Sequence, residues 1–176
     1  MPTDLLLASL VLLASGTEDL EAFCEFNGYD LPSLPPIHVL NSLSSESLRG
    51  LYANSDVFVL PSRGEGWGRP HVEAMSMSLP IAATYWSGPT EYMTHNNSYP
   101  IEVEKMSRIE SGAFEGHLWA EPSRNDLKKI MMRAYKDREE GKRLGERGRR
   151  DMVEKYGMEK GAIDIFRLIG EAVERR

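Results

Sequence analysis

The sequence predicts an α/β fold built around a mainly parallel sheet and followed by a helical carboxyl-terminal extension. Short apolar runs alternate with segments of helical periodicity, and the connections between them are short, which is typical of strand–helix–strand units. From Ser123 onward the periodicity is helical only. We therefore expect an α/β domain over residues 1–122 and helices that pack on it over residues 123–176.

Composition limits the classes of function. The chain of 176 residues is 41% hydrophobic and 27% charged, as in ordinary soluble globular domains. Its formal net charge of -6 disfavours nucleic acid as a partner, because phosphate backbones bind basic surfaces. The single cysteine, Cys24, cannot form an internal disulfide, and we expect it to be a small buried hydrophobic residue.

The amino-terminal stretch "MPTDLLLASLVLLASG" is apolar but too short to cross a bilayer. It lacks the basic start of a secretory signal peptide. We interpret Ser9–Ser15 as a buried parallel strand and expect a cytoplasmic protein without a membrane span. A signal peptide over residues 1–16 is the alternative that the sequence leaves open.

Helices and strands then alternate along the chain. "TEDLEAFCEF" has Leu20, Phe23 and Phe26 at helical spacing, and "IHVLN", Ile37–Asn41, is predicted as a short strand. The next helix begins at Ser44 or Ser45, either of which can cap it. Its apolar face comprises Leu48, Leu51 and Tyr52.

The middle of the chain continues the alternation. "VFVLP" is continuous and apolar, which predicts a strand buried on both faces. A helix is expected to begin near Pro70, because proline is favourable at the first helical position. "PIAAT" is the next predicted strand, and "GPTEYM" begins a short helix.

The last third is predicted to be helical. Ser123 caps a helix whose apolar face comprises Leu127, Ile130, Met131 and Ala134. The charge-dense "EEGKRLGERGRRDMVEKY" predicts a solvated helix pair or helix–turn; a basic patch for nucleic acid is the alternative, which the interleaved acidic residues disfavour. The final helix must pack on something through a stripe comprising Ala162, Ile165, Phe166, Ile169 and Val173.

The segment "RGEGWGRPHVEAM", Arg63–Met75, carries the functional signal. It follows a predicted strand, and ligands of open parallel sheets bind beyond the carboxyl ends of the strands. Its glycines permit close approach of a ligand, and the helix start favours phosphate. Glu65 and Glu73 would repel phosphate but accept hydrogen bonds from sugar hydroxyls. Phosphate and hydroxyl binding together indicate a sugar nucleotide.

Each of these residues also has a plain structural interpretation. Glu73 complements a helix dipole, Glu65 is a solvated loop acid, and Trp67 covers a core. The combined pattern between a strand and a helix is more specific than any single residue in it.

The segment "SDVFVLPSRGEGWGRPHVEAMSMSLPIAATYWSGPTEYM" resembles the donor-binding core of retaining glycosyltransferases of the GT-B type, in the large group called family 4. Their signature is a glutamate, seven residues and a second glutamate, in an "EGFG-x-P-x-x-EAM"-like context. The matching residues are Glu65, Gly66, Trp67, Gly68, Pro70, Glu73, Ala74 and Met75. The resemblance runs from Leu10 to Met93 and continues more loosely, through "NNSYPI" and "WAEPS", to the carboxyl end.

The resemblance implies a role for each matching residue. Glu65 would be the catalytic residue, contacting donor-sugar hydroxyls near the reacting centre, and Glu73 would bind the ribose. Backbone N–H groups of the loop would bind the sugar and phosphate. The remaining donor-binding candidates are Gly64, Gly66, Trp67, Gly68 and Arg69, with Leu40, Asn41 and Leu43 bordering the base. His71 is expected at the surface.

The resemblance also implies the chemistry. The donor would be a UDP-, GDP- or ADP-sugar, the anomeric configuration would be retained, and neither a metal nor a cofactor would be required. The Rossmann-like domain of residues 1–122 would then be one half of a GT-B fold.

Two departures from the family leave the function open. A second, amino-terminal domain is not in the sequence, and Met1–Leu20 contains no Lys or Arg where the family has a cationic pair that neutralises the diphosphate. The chain is therefore expected to be the donor half of a glycosyltransferase, with a non-catalytic nucleotide-sugar binding module or an inactive fragment as alternatives. Expected partners are an unidentified acceptor and either an amino-terminal GT-B domain or a second copy bound through the last helix.

Overall fold

The computed structural model describes residues 10–13, 20–26, 28–40 and 42–174. Contacts between residues group the chain into two compact units, residues 1–48 and residues 49–176. Each unit is built from parallel strands joined by helices, as the alternation of the sequence predicts.

The first unit contains a parallel strand pair. Strands β1 (Leu10–Leu13) and β2 (Ile37–Leu40) pair with Leu10 opposite Ile37, and helix α1 (Leu20–Phe26) lies between them in the chain. Both predicted strands are confirmed over these residues, and Cys24 is buried as expected. Phe26, predicted on the apolar face of α1, is the last residue of the helix and is 91% exposed.

Helix α2 (Ser45–Ala53) begins at the predicted serine cap. The Ser44 hydroxyl accepts a hydrogen bond from the Ser47 N–H at 3.1 Å, which satisfies one of the free donors at the helix start. Tyr52, near the end of α2, is buried as its place on the apolar face predicts.

The second unit contains a three-stranded parallel sheet. Its strands are β3 (Phe58–Leu60), β4 (Ile81–Thr84) and β5 (Tyr99–Ile101), in that order. Every residue of β4 is buried, because this strand has a neighbour on each side. The expectation that β3 is buried on both faces is wrong: its residues are half-buried, since β3 is the edge strand of this sheet as described.

An antiparallel hairpin follows that the sequence does not predict. Strands β6 (Val103–Arg108) and β7 (Leu118–Pro122) pair with Ser107 opposite Trp119. Most residues of β6 are polar or charged and several are exposed, so this strand lacks the apolar run that identifies β3 and β4.

Helices α3 (Arg69–Ser76), α4 (Arg124–Lys136), α5 (Arg138–Tyr156) and α6 (Met158–Glu174) follow in the chain. Helices α3, α4 and α5 pack on the sheet or on one another, and α6 contacts α5. Ser123 caps α4 as predicted, since its side chain accepts from the Asp126 N–H. Ile130 of α4 and Leu144 of α5 pack on Ala82, Tyr99 and Ile101 of the sheet. Met131 does not join the predicted face, because it is 44% exposed.

The expectation of a solvated helix pair over residues 139–156 is wrong. Helix α5 is continuous and buries one face, which comprises Gly141, Leu144, Gly145, Gly148, Asp151 and Met152. A β-carbon added to Gly145 would lie 2.0 Å from the Ser78 carbonyl oxygen, so glycine is needed for this close approach of two backbones. Asn97 also donates to the buried Asp151 carboxylate at 2.9 Å. Only Leu144 and Met152 on this face are large and apolar, so the face has a weak signal of apolar periodicity.

Helix α6 exposes its apolar residues. No residue of α6 is buried in the part of the chain that the structure describes, and Phe166 of the predicted stripe is 75% exposed. Across the described residues, we find no helix with the length and apolar character required to span a membrane.

We expect Gly145→Ala to lower the free energy of unfolding by about 1–3 kcal/mol, because overpacking forces the two backbones apart. Gly170→Ala is the matched control. It also lies in a helix, but nothing lies within 4 Å of its added β-carbon, so the substitution should stabilise the protein by up to about 1 kcal/mol. Urea denaturation of both variants measures the difference, and an equal effect of the two would contradict this packing.

Candidate functional site

The candidate site forms where two neighbouring strands end. The loop of residues 61–68 follows β3, and a turn leading into a short 3-10 helix (Gly88–Glu91) follows β4. Because β3 and β4 are parallel, both connections begin at the same end of the sheet, where the strands have their carboxyl ends. The Glu65 carbonyl oxygen accepts hydrogen bonds from the Gly88 N–H at 3.0 Å and from the Ser87 hydroxyl at 2.8 Å. These bonds join the two connections into one surface.

The junction between the two connections is tight. A β-carbon on Gly88 would lie 2.2 Å from the Gly66 carbonyl oxygen, so no larger residue fits without a shift of the backbone. Ser87 has a φ of 62°, which L-residues rarely adopt and which persists where surrounding contacts hold it. Two contacts hold Ser87 in this way. Its hydroxyl donates to the Glu65 carbonyl, and its carbonyl accepts a hydrogen bond from the Thr90 hydroxyl at 2.7 Å.

The end of the loop is held in the same way. Gly68 has a φ of 84° and is the residue before α3, and a β-carbon there would lie 2.4 Å from His71 Nδ1. The Tyr92 hydroxyl donates to the Trp67 carbonyl at 2.6 Å and lies 3.4 Å from the Gly68 carbonyl. The left-handed turn into α3 therefore requires glycine and is fixed by a buried tyrosine.

Holding the carbonyl groups orients the amide groups. In a trans peptide unit the C=O and N–H bonds point in opposite directions. The carbonyls of Glu65 and Trp67 bond to the protein, so the N–H groups of Gly66 and Gly68 point away from those partners. Within the described residues, the hydrogen bonds of the loop include none donated by the amides of Gly66, Trp67 or Gly68. Free N–H groups at a helix start suit an anionic or hydroxyl oxygen of a ligand.

Glu73 lies on α3 with its side chain 40% exposed. Its two carboxylate oxygens have only long contacts, 3.5 Å to the Tyr52 hydroxyl and 3.6 Å to the Arg69 guanidinium. Burial, with the Glu73 charge adding to it, raises the pKa of Tyr52, which keeps that hydroxyl a donor. The Glu73 carboxylate can accept stronger hydrogen bonds from a ligand.

The charge of the Glu65 carboxylate affects the pKa of a buried tyrosine beneath the loop. Burial raises the pKa of Tyr92, and Glu65 and Tyr156 add to that shift. The backbone of Glu65 is fixed by the Gly88 and Ser87 bonds described above, while its side chain is half-buried. A carboxylate on a fixed backbone at the edge of the site is suited to accept hydrogen bonds from hydroxyl groups of a ligand.

The expectation that His71 lies at the surface is wrong. His71 is fully buried and packs edge-on against Phe58, with ring centroids 5.8 Å apart. Burial lowers the pKa of His71, so the imidazole is neutral at pH 7. Its Nε2 has no hydrogen-bond partner among the described residues. The helix turns this position toward the sheet, although its neighbour Arg69 is 87% exposed at the side chain.

Aromatic residues that the sequence did not single out surround Trp67. The Trp67 ring packs edge-on against Tyr92 at 5.1 Å and against Tyr156 at 5.4 Å, and the Tyr156 hydroxyl donates to the Glu91 carbonyl at 2.9 Å. Trp67 remains 38% exposed. It is therefore a partly covered ring at the rim of the site.

The hairpin supports the beginning of the loop. The Arg63 carbonyl accepts a hydrogen bond from the Ala120 N–H at 3.0 Å. The Arg63 guanidinium forms an ion pair with Glu121 at 3.1 Å and lies over the Trp119 ring, 4.9 Å from its centroid. Arg63 and Arg69, the arginines that flank the loop, are thus both in ion pairs within the unit.

The other predicted site residues differ in what surrounds them. Gly64 and Gly66 have open space around the position of an added β-carbon. Leu40 and Leu43 are half-buried in the first unit, and Asn41 lies outside the described residues. Among the residues that the structure describes, no group of three or more His, Cys, Asp or Glu side chains is placed to hold a metal ion.

Known proteins are similar to this chain in sequence and in fold. The chain is 28% identical over 139 residues to the MMP alpha-(1->4)-mannosyltransferase of Mycolicibacterium hassiacum, which covers 79% of this chain and 30% of that protein. The structure is similar to the sucrose-phosphate synthase of Thermosynechococcus elongatus, with a TM-score of 0.66 at 16% identity over 96% of this chain and 39% of that one. It is also similar to HepE of Anabaena in complex with UDP-glucose, with a TM-score of 0.56 at 16% identity over 89% of this chain and 36% of that one.

The predicted fold class is confirmed, since the similar structures are GT-B glycosyltransferases. The chain spans 30% to 39% of the length of these three proteins. The model of the family described as glycosyl transferases group 1 matches residues 9–151, most of the chain. This chain belongs to the glycosyl transferases group 1 family.

Proposed function

We propose that this chain is the donor-binding domain of a retaining glycosyltransferase, which transfers a sugar from a nucleotide-sugar to an acceptor. The observation that carries the proposal is the fixed conformation of the loop before α3. The Glu65 and Trp67 carbonyls of this loop are held by the protein, its Gly66 and Gly68 N–H groups point away from those partners, and Glu65 and Glu73 flank these amides in the sequence. Membership of the family and the similarity to a protein solved with UDP-glucose support it.

Each group has a place in the proposed reaction. The bond between the anomeric carbon and the phosphate oxygen breaks, and the nucleoside diphosphate leaves with the developing negative charge. The N–H groups of Gly66 and Gly68 bind the sugar and the phosphate, and the start of α3 stabilises that charge. Glu65 binds sugar hydroxyls near the reacting centre, and Glu73 binds the ribose.

A binding module without turnover is the second candidate. It is favoured by the state of the flanking arginines, because Arg63 is paired with Glu121 and Arg69 with Glu73. The Arg63 guanidinium is thereby occupied, and the Arg69 guanidinium, although its side chain is 87% exposed, lies beside a carboxylate that offsets its charge. In this candidate the loop and both carboxylates bind the nucleotide-sugar, and transfer does not occur.

The exposed apolar stripe of α6 indicates a surface that binds a partner. Ile165, Phe166 and Ile169 are each more than half exposed, and contiguous apolar surface of this kind usually marks an interface. We propose that α6 contacts an amino-terminal GT-B domain, and association of two copies through α6 is the alternative.

The first prediction concerns binding. The chain should bind at least one of UDP, GDP, ADP or their sugar conjugates weakly, because the amide and carboxylate groups are in place while the flanking arginines are engaged. Isothermal titration calorimetry measures the affinity. No heat with any of these compounds at millimolar concentration, on folded protein, would reject both candidate functions.

The second prediction separates the two carboxylates. Glu73→Gln should weaken the nucleoside diphosphate and its sugar conjugate alike, by about tenfold or more, since a hydrogen bond to a charged group contributes about 1.5–3 kcal/mol. Glu65→Gln should weaken only the conjugate. Glu104→Gln, at an exposed position of β6, is the control that should change neither. An equal loss for both ligands in Glu65→Gln would refute its assignment to the sugar.

The third prediction concerns transfer. The 176-residue chain alone should transfer sugar slowly or not at all, because an acceptor held in place contributes up to about 7–11 kcal/mol and most of the length of its relatives is outside this sequence. Addition of a related amino-terminal GT-B domain should increase release of nucleoside diphosphate with acceptor. Fast transfer by the chain alone that Glu65→Ala abolishes would contradict the assignment to the donor half.

A further inference from the structure

Tyr92 bridges two successive carbonyl groups of the loop. Its hydroxyl donates to the Trp67 carbonyl at 2.6 Å and lies 3.4 Å from the Gly68 carbonyl. The side chain is 4% exposed, so water does not compete for these contacts. A short bond from a buried donor fixes the plane of the peptide unit that it holds.

The peptide units that Tyr92 holds carry amides of the proposed donor site. Fixing the Trp67 carbonyl toward Tyr92 fixes the Gly68 N–H in the opposite direction. The Gly68 carbonyl belongs to the same peptide unit as the first amide of α3. A rotation of either unit would turn its N–H away from the ligand.

The hydroxyl remains a donor over the working range of pH. Burial raises the pKa of Tyr92, and the Glu65 and Tyr156 groups add to the shift. His71 faces the same backbone through Nδ1, which lies 3.3 Å from the Gly68 carbonyl. Burial lowers the pKa of His71, and both a neutral and a protonated ring can donate from Nδ1, so neither contact is lost by titration near pH 7.

The Tyr92 ring is itself held from the other side. It packs edge-on against Trp67 at 5.1 Å and Tyr156 at 6.3 Å, and Tyr156 bonds to the Glu91 carbonyl next to Tyr92 in the chain. The end of α5 is thereby tied to the turn that carries Tyr92. The hydroxyl has little freedom to leave the loop.

We propose that Tyr92 is a positioning residue for sugar binding, which acts by fixing the peptide units of residues 67–69 and contacts no reacting atom itself. This inference rests on the proposed function of the loop. In this role, the Tyr92 hydroxyl beneath the site helps to set the difference in affinity between a nucleotide-sugar and the bare nucleoside diphosphate.

The test is Tyr92→Phe, which removes the hydroxyl and keeps the ring. Its affinity for the nucleotide-sugar that binds the wild type best should fall by about fivefold, the equivalent of one hydrogen bond, and by less for the matching nucleoside diphosphate. Without ligand, the ¹⁵N order parameters of the Gly68 and Arg69 amides should fall, and those of β5 should stay unchanged. Tyr99→Phe is the matched control, because Tyr99 is also buried and its hydroxyl has no hydrogen-bond partner among the described residues.

The outcomes are distinguishable. If the wild type binds neither ligand, the proposed function fails. If the wild type binds both and Tyr92→Phe keeps the same ratio of the two affinities, only the role of Tyr92 is overturned. Unchanged order parameters of the Gly68 and Arg69 amides also overturn it, as does loss of cooperative unfolding in Tyr92→Phe, which would assign the hydroxyl to the fold and not to the loop.

Discussion

The carbonyl oxygen of Glu65 is the point on which the candidate site depends. It receives two hydrogen bonds from the connection after β4, and through them the loop after β3 acquires a fixed conformation. Without these bonds, a segment with glycines at every second position would sample many conformations. With them, the Gly66 N–H points away from the connection after β4, and Glu65 of the loop and Glu73 of α3 stand on either side of the helix start in the sequence.

The packing of the second unit keeps those two connections together. Helix α5 approaches the turn before β4 through Gly145 and holds the turn before β5 through the Asp151–Asn97 bond. The hairpin fixes the beginning of the loop at Arg63, and Tyr92 fixes its end. The site is therefore supported at its start, middle and end by elements distant in sequence, and each support uses a carbonyl group of the loop. Bonding through carbonyls leaves the amides for a ligand.

The sequence predicts the elements that have a clear apolar signal. The strands "IHVL" and "IAAT", the serine caps of α2 and α4 and the helix start near Pro70 follow from local rules that the fold does not override. The loop between β3 and α3 is predictable as a candidate site because it follows a parallel strand and is rich in glycine. The structure shows close contacts at Gly68 that require glycine there. The residues that hold it are not predictable in this way.

Tyr92, Tyr156 and Arg63 act through contacts with residues far away in the chain, and nothing in their local sequence distinguishes them from other polar aromatic or basic residues. The general preference of histidine for surfaces predicts an exposed His71, yet the helix turns it toward Phe58. The buried face of α5 gives a weak apolar signal because three glycines and an aspartate make up most of it.

The most direct test is a nuclear magnetic resonance titration of the ¹⁵N-labelled chain with the nucleotide-sugar that calorimetry selects. The central claim is that free amides of the loop bind the donor. We expect saturable shifts of the Gly66, Trp67 and Gly68 amide resonances with one dissociation constant, while the amides of Gly161 and Gly170 on α6 stay unchanged. Saturable shifts confined to other regions, with the loop amides unaffected, would contradict the account.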